Sequence, residues 1–124
     1  MNKHRPKHLA LHLIKLPPSG IVSILHRISG MLLFFALPLL LLMLQYSLRS
    51  IETYTHLIEV LNYPLIKLTL IALLWAFLHH FFAGLRYLAI DVHLLGNLAQ
   101  SRTSSKLVLF MSLMLTVFLG AKLW

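Results

Sequence analysis

The chain has 124 residues, 59% of them hydrophobic and 11% charged, and its eleven Lys/Arg against three Asp/Glu give a net charge of +8. No soluble domain of this size keeps so much apolar surface from water, so the composition excludes a soluble globular protein and points to a single all-α membrane domain, residues 1–124. Cysteine is absent, which excludes disulfides and protein thiolates for an iron–sulfur cluster, so any such cluster belongs to a partner.

A Gly-rich nucleotide fingerprint is also missing, so a flavin or nicotinamide would sit elsewhere. With apolar runs of this length, the positive charge reads as membrane topology and contact with anionic lipid or an acidic partner, not as nucleic-acid binding. Lys3, Arg5, Lys7 and Lys15 precede the first apolar run. No short hydrophobic core with a small-residue cleavage site follows them, so this stretch is expected to be an interfacial N-terminal segment and not a removable signal peptide.

Pro17-Pro18-Ser19-Gly20 interrupts the chain and predicts a helix start, with Ser19 as candidate N-cap. The helix runs to about Leu48, longer than the roughly 20 residues that cross hydrocarbon, which places its first two turns in the interface and the lipid span at about 28–48. Pro38 is expected to kink it, as membrane helices tolerate. The connection from Arg49 to Tyr63 carries Ile51, Tyr54, Ile58 and Leu61, a spacing that suits a short interfacial helix as well as it suits a plain loop. A second span is predicted at about 64–90, opening on Pro64. The stretch from Asp91 to Arg102 reads as a polar loop, and the third span follows at about 106–124. The expected fold is thus an all-α membrane protein with three transmembrane helices.

Basic residues gather at the N-terminus and around the second connection (Arg86, Arg102, Lys106), whereas Arg49 in the first is offset by Glu52 and Glu59. The positive-inside rule places the N-terminus in the cytoplasm, or in the matrix of an organelle, and the C-terminus outside. Tyr46, Tyr54, Tyr63 and Trp124 then fall together on the outer side, as an interfacial aromatic belt would.

Two polar constellations interrupt these apolar helices. The first is Ser23-Ile24-Leu25-His26-Arg27-Ile28-Ser29-Gly30. Ser23, His26 and Arg27 stand three and four apart, so a hydroxyl, an imidazole and a guanidinium converge at the cytoplasmic edge of the bilayer. Each can donate to a ketone oxygen beside a lipid corridor, the arrangement a quinone needs. The plainer alternative, favoured on spacing alone, is a capping serine with two positive-inside anchors.

The second is His79-His80, deep in the second span, where ionisable groups usually mark a site. Ala72, Ala76, His80 and Gly84 follow at intervals of four, so small residues flank His80 along a groove that would admit a flat macrocycle, and neutral imidazole is the usual axial ligand of its iron. His79 and Arg86 share a neighbouring face, which His93 continues if the helix extends. The alternative is that both histidines hydrogen-bond another helix while Arg86 snorkels to the headgroups. Phe81 and Phe82 could wall a cofactor, though lipid-facing bulk suits at least one of them. A six-coordinate haem needs a second ligand, and the other two lipid spans hold no histidine, so that ligand would come from another subunit or a second copy.

At these residues the chain resembles the large membrane-anchor subunit of succinate dehydrogenase, the cytochrome b subunit of respiratory complex II. The likeness rests on Arg5-Pro6, on the Ser23 to Gly30 segment, and on His80-x-x-x-Gly84-Leu85-Arg86 followed by Asp91. It implies a chain that helps anchor a flavoprotein subunit and an iron–sulfur subunit and forms part of the ubiquinone site, in electron transfer from succinate to quinone. It would be an enzyme subunit with no catalytic residue of its own. His80 matches the axial ligand of one haem b, whose other ligand comes from a smaller second anchor subunit. Ser23 and Arg27 match quinone-pocket positions. His26 and Arg27 match positions near the haem propionates, with Arg86 and His79 as further neighbours. Many bacterial members carry a histidine where this chain has Tyr87. The implied location is the bacterial inner membrane in preference to the mitochondrial one. The alternatives are a fumarate reductase anchor working on menaquinol, or a small non-enzymatic assembly or transport protein.

Overall fold

A computed structural model of the chain describes residues 15–124. The expected interfacial N-terminal segment, with Lys3, Arg5 and Lys7, lies outside those residues. Four helices follow one another: α1 (Pro18–Ser47), α2 (Ile51–Leu61), α3 (Pro64–Asp91) and α4 (Leu98–Leu123). Three of them, α1, α3 and α4, are long and apolar enough to cross a membrane. At a rise of 1.5 Å per residue α1 is about 45 Å long, well beyond the ~30 Å of hydrocarbon, so one end of it must reach past the apolar layer.

Each helix start has a local cause. Pro18 and Pro64 occupy first-turn positions, where the missing N–H costs nothing. Ser50 and Asn97 each open a capping box, with Thr53 and Gln100 returning the bond to the cap N–H. Pro38 sits inside α1 without ending it.

The α3 helix packs against both α1 and α4. Its buried positions Ala76, His79, Ala83 and Arg86 form one face, and α1 meets it with Val22, Ser29 and Ala36, seven residues apart. Helix α4 contributes Ser105, Val108, Ser112, Thr116 and Gly120. Small residues let membrane helices approach closely, and dispersion then holds them together without a hydrophobic driving force. Hydroxyls along α4 stay satisfied within the helix: Ser105 donates to the Ser101 carbonyl at 2.7 Å, and Thr116 to that of Ser112 at 2.7 Å. Gly120 faces Ile71, whose side-chain carbons would lie 3.6 Å from an added Cβ. Val22, Ala83 and Val108 meet at the centre, flanked by Phe82, Tyr87 and Leu109. The bulk of the outer apolar side chains, Phe34, Phe81, Phe110 and Phe118 among them, is exposed, as lipid contact requires.

Three local expectations are corrected, and one open alternative is resolved. Ser19 is not the cap of α1: Pro17 takes that position, with no side-chain bond, and Ser19 lies inside the helix. The polar loop is shorter than the composition suggests, because Asn97 and Gln100 start α4 at Leu98 and carry Ser101 and Arg102 into the helix. His93 does not continue the α3 stripe. Helix α3 ends at Asp91, and His93 adopts φ 61°, the left-handed conformation that turns a chain out of a helix. Finally, the first connection is a helix, α2, where a plain loop was the alternative.

The end of the bundle carrying α2 also carries the expected aromatic belt. Tyr46 meets the His56 ring at 6.4 Å, and Lys67 near the start of α3 donates to the Trp124 backbone oxygen at 3.3 Å. The first end of α3 and the last residue of α4 therefore lie at one level.

Candidate haem and quinone site

The polar groups of α1 and α3 meet at His80. Its Nδ1 lies 3.1 Å from the backbone carbonyl of His26, and the Ser29 hydroxyl is 3.4 Å from the same nitrogen. A carbonyl oxygen only accepts, so His80 Nδ1 carries the proton and donates. Ser29 gives its own proton to that same His26 oxygen at 2.9 Å. Four residues apart in a helix, His26 and Gly30 flank this point, and Gly30 is what lets the imidazole in. A Cβ at position 30 would stand 2.9 Å from His80 Cε1 and 3.2 Å from Nδ1.

Its other ring nitrogen, Nε2, has no hydrogen-bond partner among the described residues. Metal-bound histidines typically show this arrangement, with one ring N–H fixed by a carbonyl and the opposite nitrogen free to ligate. The His26 ring stacks on His80 with centroids 4.1 Å apart and planes 10° apart, and Tyr87 meets the His26 ring edge-on at 5.2 Å. Stacking covers the face of the imidazole and leaves the in-plane Nε2 lone pair open. The donor set therefore fits an axial haem ligand.

The groove expected along Ala72, Ala76, His80 and Gly84 is not open along its length. Ala76 is buried in the helix interface, and an added Cβ at Gly84 would lie 3.9 Å from His26 Nε2, so the His26 ring takes that end. A planar ligand on His80 would approach from the Nε2 side and not lie along the groove.

His79 differs from its neighbour in every respect. It is fully buried, stacks on Trp75 at 5.4 Å beside the Val22 backbone, and neither ring nitrogen has a hydrogen-bond partner among the described residues. Arg86 is buried too, but its guanidinium turns to α4: Nε donates to Ser104 Oγ at 3.0 Å, and Nη2 to Ser101 Oγ at 2.9 Å and Ser101 O at 3.3 Å. The bundle thus gathers His26, Ser29, Gly30, His80, Gly84 and Tyr87 and leaves His79 out of that group, while Arg86 touches it only through its guanidinium over the Tyr87 ring at 5.4 Å.

Ser23 is half-buried and Arg27 exposed, one turn apart at the surface edge of α1, with side chains unengaged by other described residues. The contact residues that spacing alone did not single out are Ser29, Trp75, Ser101 and Ser104. Only Ser29 carried a signal, as the hydroxyl between the paired His26-Arg27 and Gly30.

Comparison with known proteins decides the family. Residues 1–119 match the succinate dehydrogenase/fumarate reductase transmembrane subunit family. The chain belongs to that family. It is also similar to the succinate dehydrogenase cytochrome b556 subunit of Coxiella burnetii (strain RSA 493 / Nine Mile phase I), 38% identical with both chains covered in full. A second similar protein is the subunit of the same name from Rickettsia felis (strain ATCC VR-1525 / URRWXCal2), 30% identical over 93% of this chain and 90% of that one. For a transmembrane subunit of this family, polar groups grouped between α1 and α3 at one end of the bundle are the natural place to look for function.

Proposed function

We propose that this chain is the haem b-carrying membrane anchor of a bacterial succinate dehydrogenase, tying the flavoprotein and iron–sulfur subunits to the inner membrane and forming part of the site where ubiquinone is reduced. The carrying observation is the state of His80: Nδ1–H is fixed by the His26 carbonyl and Nε2 is unengaged inside an apolar bundle. His80 would hold the haem iron through Nε2. His26 stacks on the His80 ring and would not serve as the second ligand. That ligand would come from another chain, the smaller second anchor subunit, and shared ligation would make cofactor binding part of assembly. When bound, the haem supplies a one-electron reservoir next to the quinone site.

The residues of this chain do the rest. His26 and Arg27, adjacent near the start of α1, would meet the propionates. Ser23 and Arg27 are the quinone donors. A hydroxyl and a guanidinium aimed at a ketone oxygen stabilise the negative charge that develops there as electrons arrive from the iron–sulfur subunit, with protons supplied from the cytoplasmic side. The basic residues at this end, Arg27, Arg86, Arg102 and Lys106, support a cytoplasmic N-terminus. Between succinate oxidation and fumarate reduction with menaquinol, the names of both relatives favour succinate oxidation.

Purification of the tagged chain from its native membrane tests this reading. Flavin and iron–sulfur subunits should travel with it, and dithionite should produce b-type absorption. A complex without that absorption would overturn the haem assignment.

A further inference from the structure

Arg86 poses a separate electrostatic problem. It is 6% exposed in the interior of a membrane bundle, and each hydrogen bond it makes goes to a neutral oxygen of Ser101 or Ser104. Guanidinium stays charged at any accessible pH, and a buried charge without an opposite charge is strongly disfavoured in a low dielectric. None of its bonds reaches a carboxylate. Among the described residues Nη1 has no hydrogen-bond partner, and the guanidinium carbon lies 5.4 Å from the centre of the Tyr87 ring.

The open side of the guanidinium borders a cavity of about 330 Å³ in the α3–α4 groove, lined by Phe82, Leu85, Leu107 and Met111 together with Arg86 and Ser104. A second cavity of about 410 Å³ shares Leu95, Ser104 and Leu107 with it and continues to the polar start of α4 at Asn97 and Gln100. Its polar end thus lies at the turn between the helices, and its apolar end runs along the bundle. Arg102 and Lys106, exposed in the same two turns of α4, add positive charge at that level.

We propose that this groove binds one anionic phospholipid. Its phosphate accepts from Arg86 Nη1 and supplies the missing counter-charge, while an acyl chain lies along Phe82, Leu107 and Met111. A small soluble anion would satisfy the charge but leave the apolar groove empty. Every hydrogen bond of Arg86 runs to α4 whereas His80 bonds to α1, and Arg86 meets the His26–His80 group only through the Tyr87 ring. The lipid would bridge α3 and α4 at their loop end.

The test uses the purified complex in nanodiscs of phosphatidylcholine containing a minor fraction of phosphatidylglycerol, with retained lipid counted by native mass spectrometry. Wild type should keep one phosphatidylglycerol per copy of this chain. Arg86→Gln should weaken that retention by about tenfold or more, since a charge-assisted bond is lost. Leu107→Trp keeps Arg86 and both serines but fills the groove, and it should expel the lipid too; this variant decides the matter if Arg86→Gln fails to assemble. Equal retention in wild type and Leu107→Trp would overturn the proposal. So would wild type retaining phosphatidylcholine equally well, or inorganic phosphate alone competing the lipid away. Two further results of Arg86→Gln would also overturn it if lipid is unchanged: loss of haem absorption would assign Arg86 to a propionate, and loss of a subunit would assign it to a partner carboxylate.

Discussion

Replacing Gly30 by alanine probes the contact on which the site reading rests. The added methyl would sit 2.9 Å from His80 Cε1, against about 3.4 Å for ordinary contact, so the imidazole must retreat from α1 by about 0.5 Å. The oxygen that holds Nδ1 is on α1, and the same retreat stretches that bond from 3.1 Å to about 3.6 Å, beyond a hydrogen bond. Losing the bond costs about 0.5–1.5 kcal/mol and overpacking about 1–3 kcal/mol. Opposing both, alanine is about 1 kcal/mol better than glycine inside a helix. If helix propensity were all that mattered at position 30, the variant would gain stability with its cofactor untouched. The close approach to the imidazole gives the opposite sign. Loss of a partner that orients a metal-bound histidine typically costs 10–100-fold in affinity, so the haem-to-flavin ratio of the purified complex should fall and the midpoint potential of any remaining haem should move. A Gly30→Ala complex with wild-type haem content and potential would refute the claim that α1 positions His80.

Three other perturbations separate the roles of neighbouring groups. His80→Ala should abolish b-type absorption, whereas His79→Phe should preserve it and hold or raise the thermal midpoint, because it removes two unpaired ring nitrogens whose burial costs about 1–3 kcal/mol each; the reverse pattern in reduced spectra would exchange the two histidines. Arg27→Ala should lower succinate-driven quinone reduction far more than succinate oxidation by an artificial dye, and equal losses in the two assays would remove Arg27 from the quinone site. Asn97→Ala breaks the capping box of α4 and should cost about 0.5–2 kcal/mol, lowering the denaturation midpoint in detergent by a few degrees without changing the haem spectrum. An unaltered midpoint there would mean that packing, not capping, determines where α4 starts.

Much of the fold was legible because its causes are local. Apolar stretches longer than the bilayer is thick can only cross it or be buried, and proline at positions 18 and 64 marks helix starts within a few residues. The errors were local as well. At Ser19 two prolines upstream moved the boundary, and around Asn97 a capping box was hidden in a run of residues that otherwise reads as loop. His93 left its stripe because the chain turns with a left-handed residue there, which helical periodicity does not register.

The candidate site divides along the same line. Sequence alone determined that ionisable residues stand inside apolar helices, which ones they are, and that the other two lipid spans hold no histidine. Tertiary structure decided what each can do, because adjacent helical residues point 100° apart and their neighbours come from other helices. His79 and His80 are one residue apart, yet one is sealed beside Trp75 and Val22 while the other donates to His26 and keeps Nε2 free. Arg86, on the same stripe as His79, found its partners on α4, which no spacing within α3 could reveal. Burial and hydrogen-bonding depend on which helix faces which, and that pairing exists only once α1 and α4 have closed on α3.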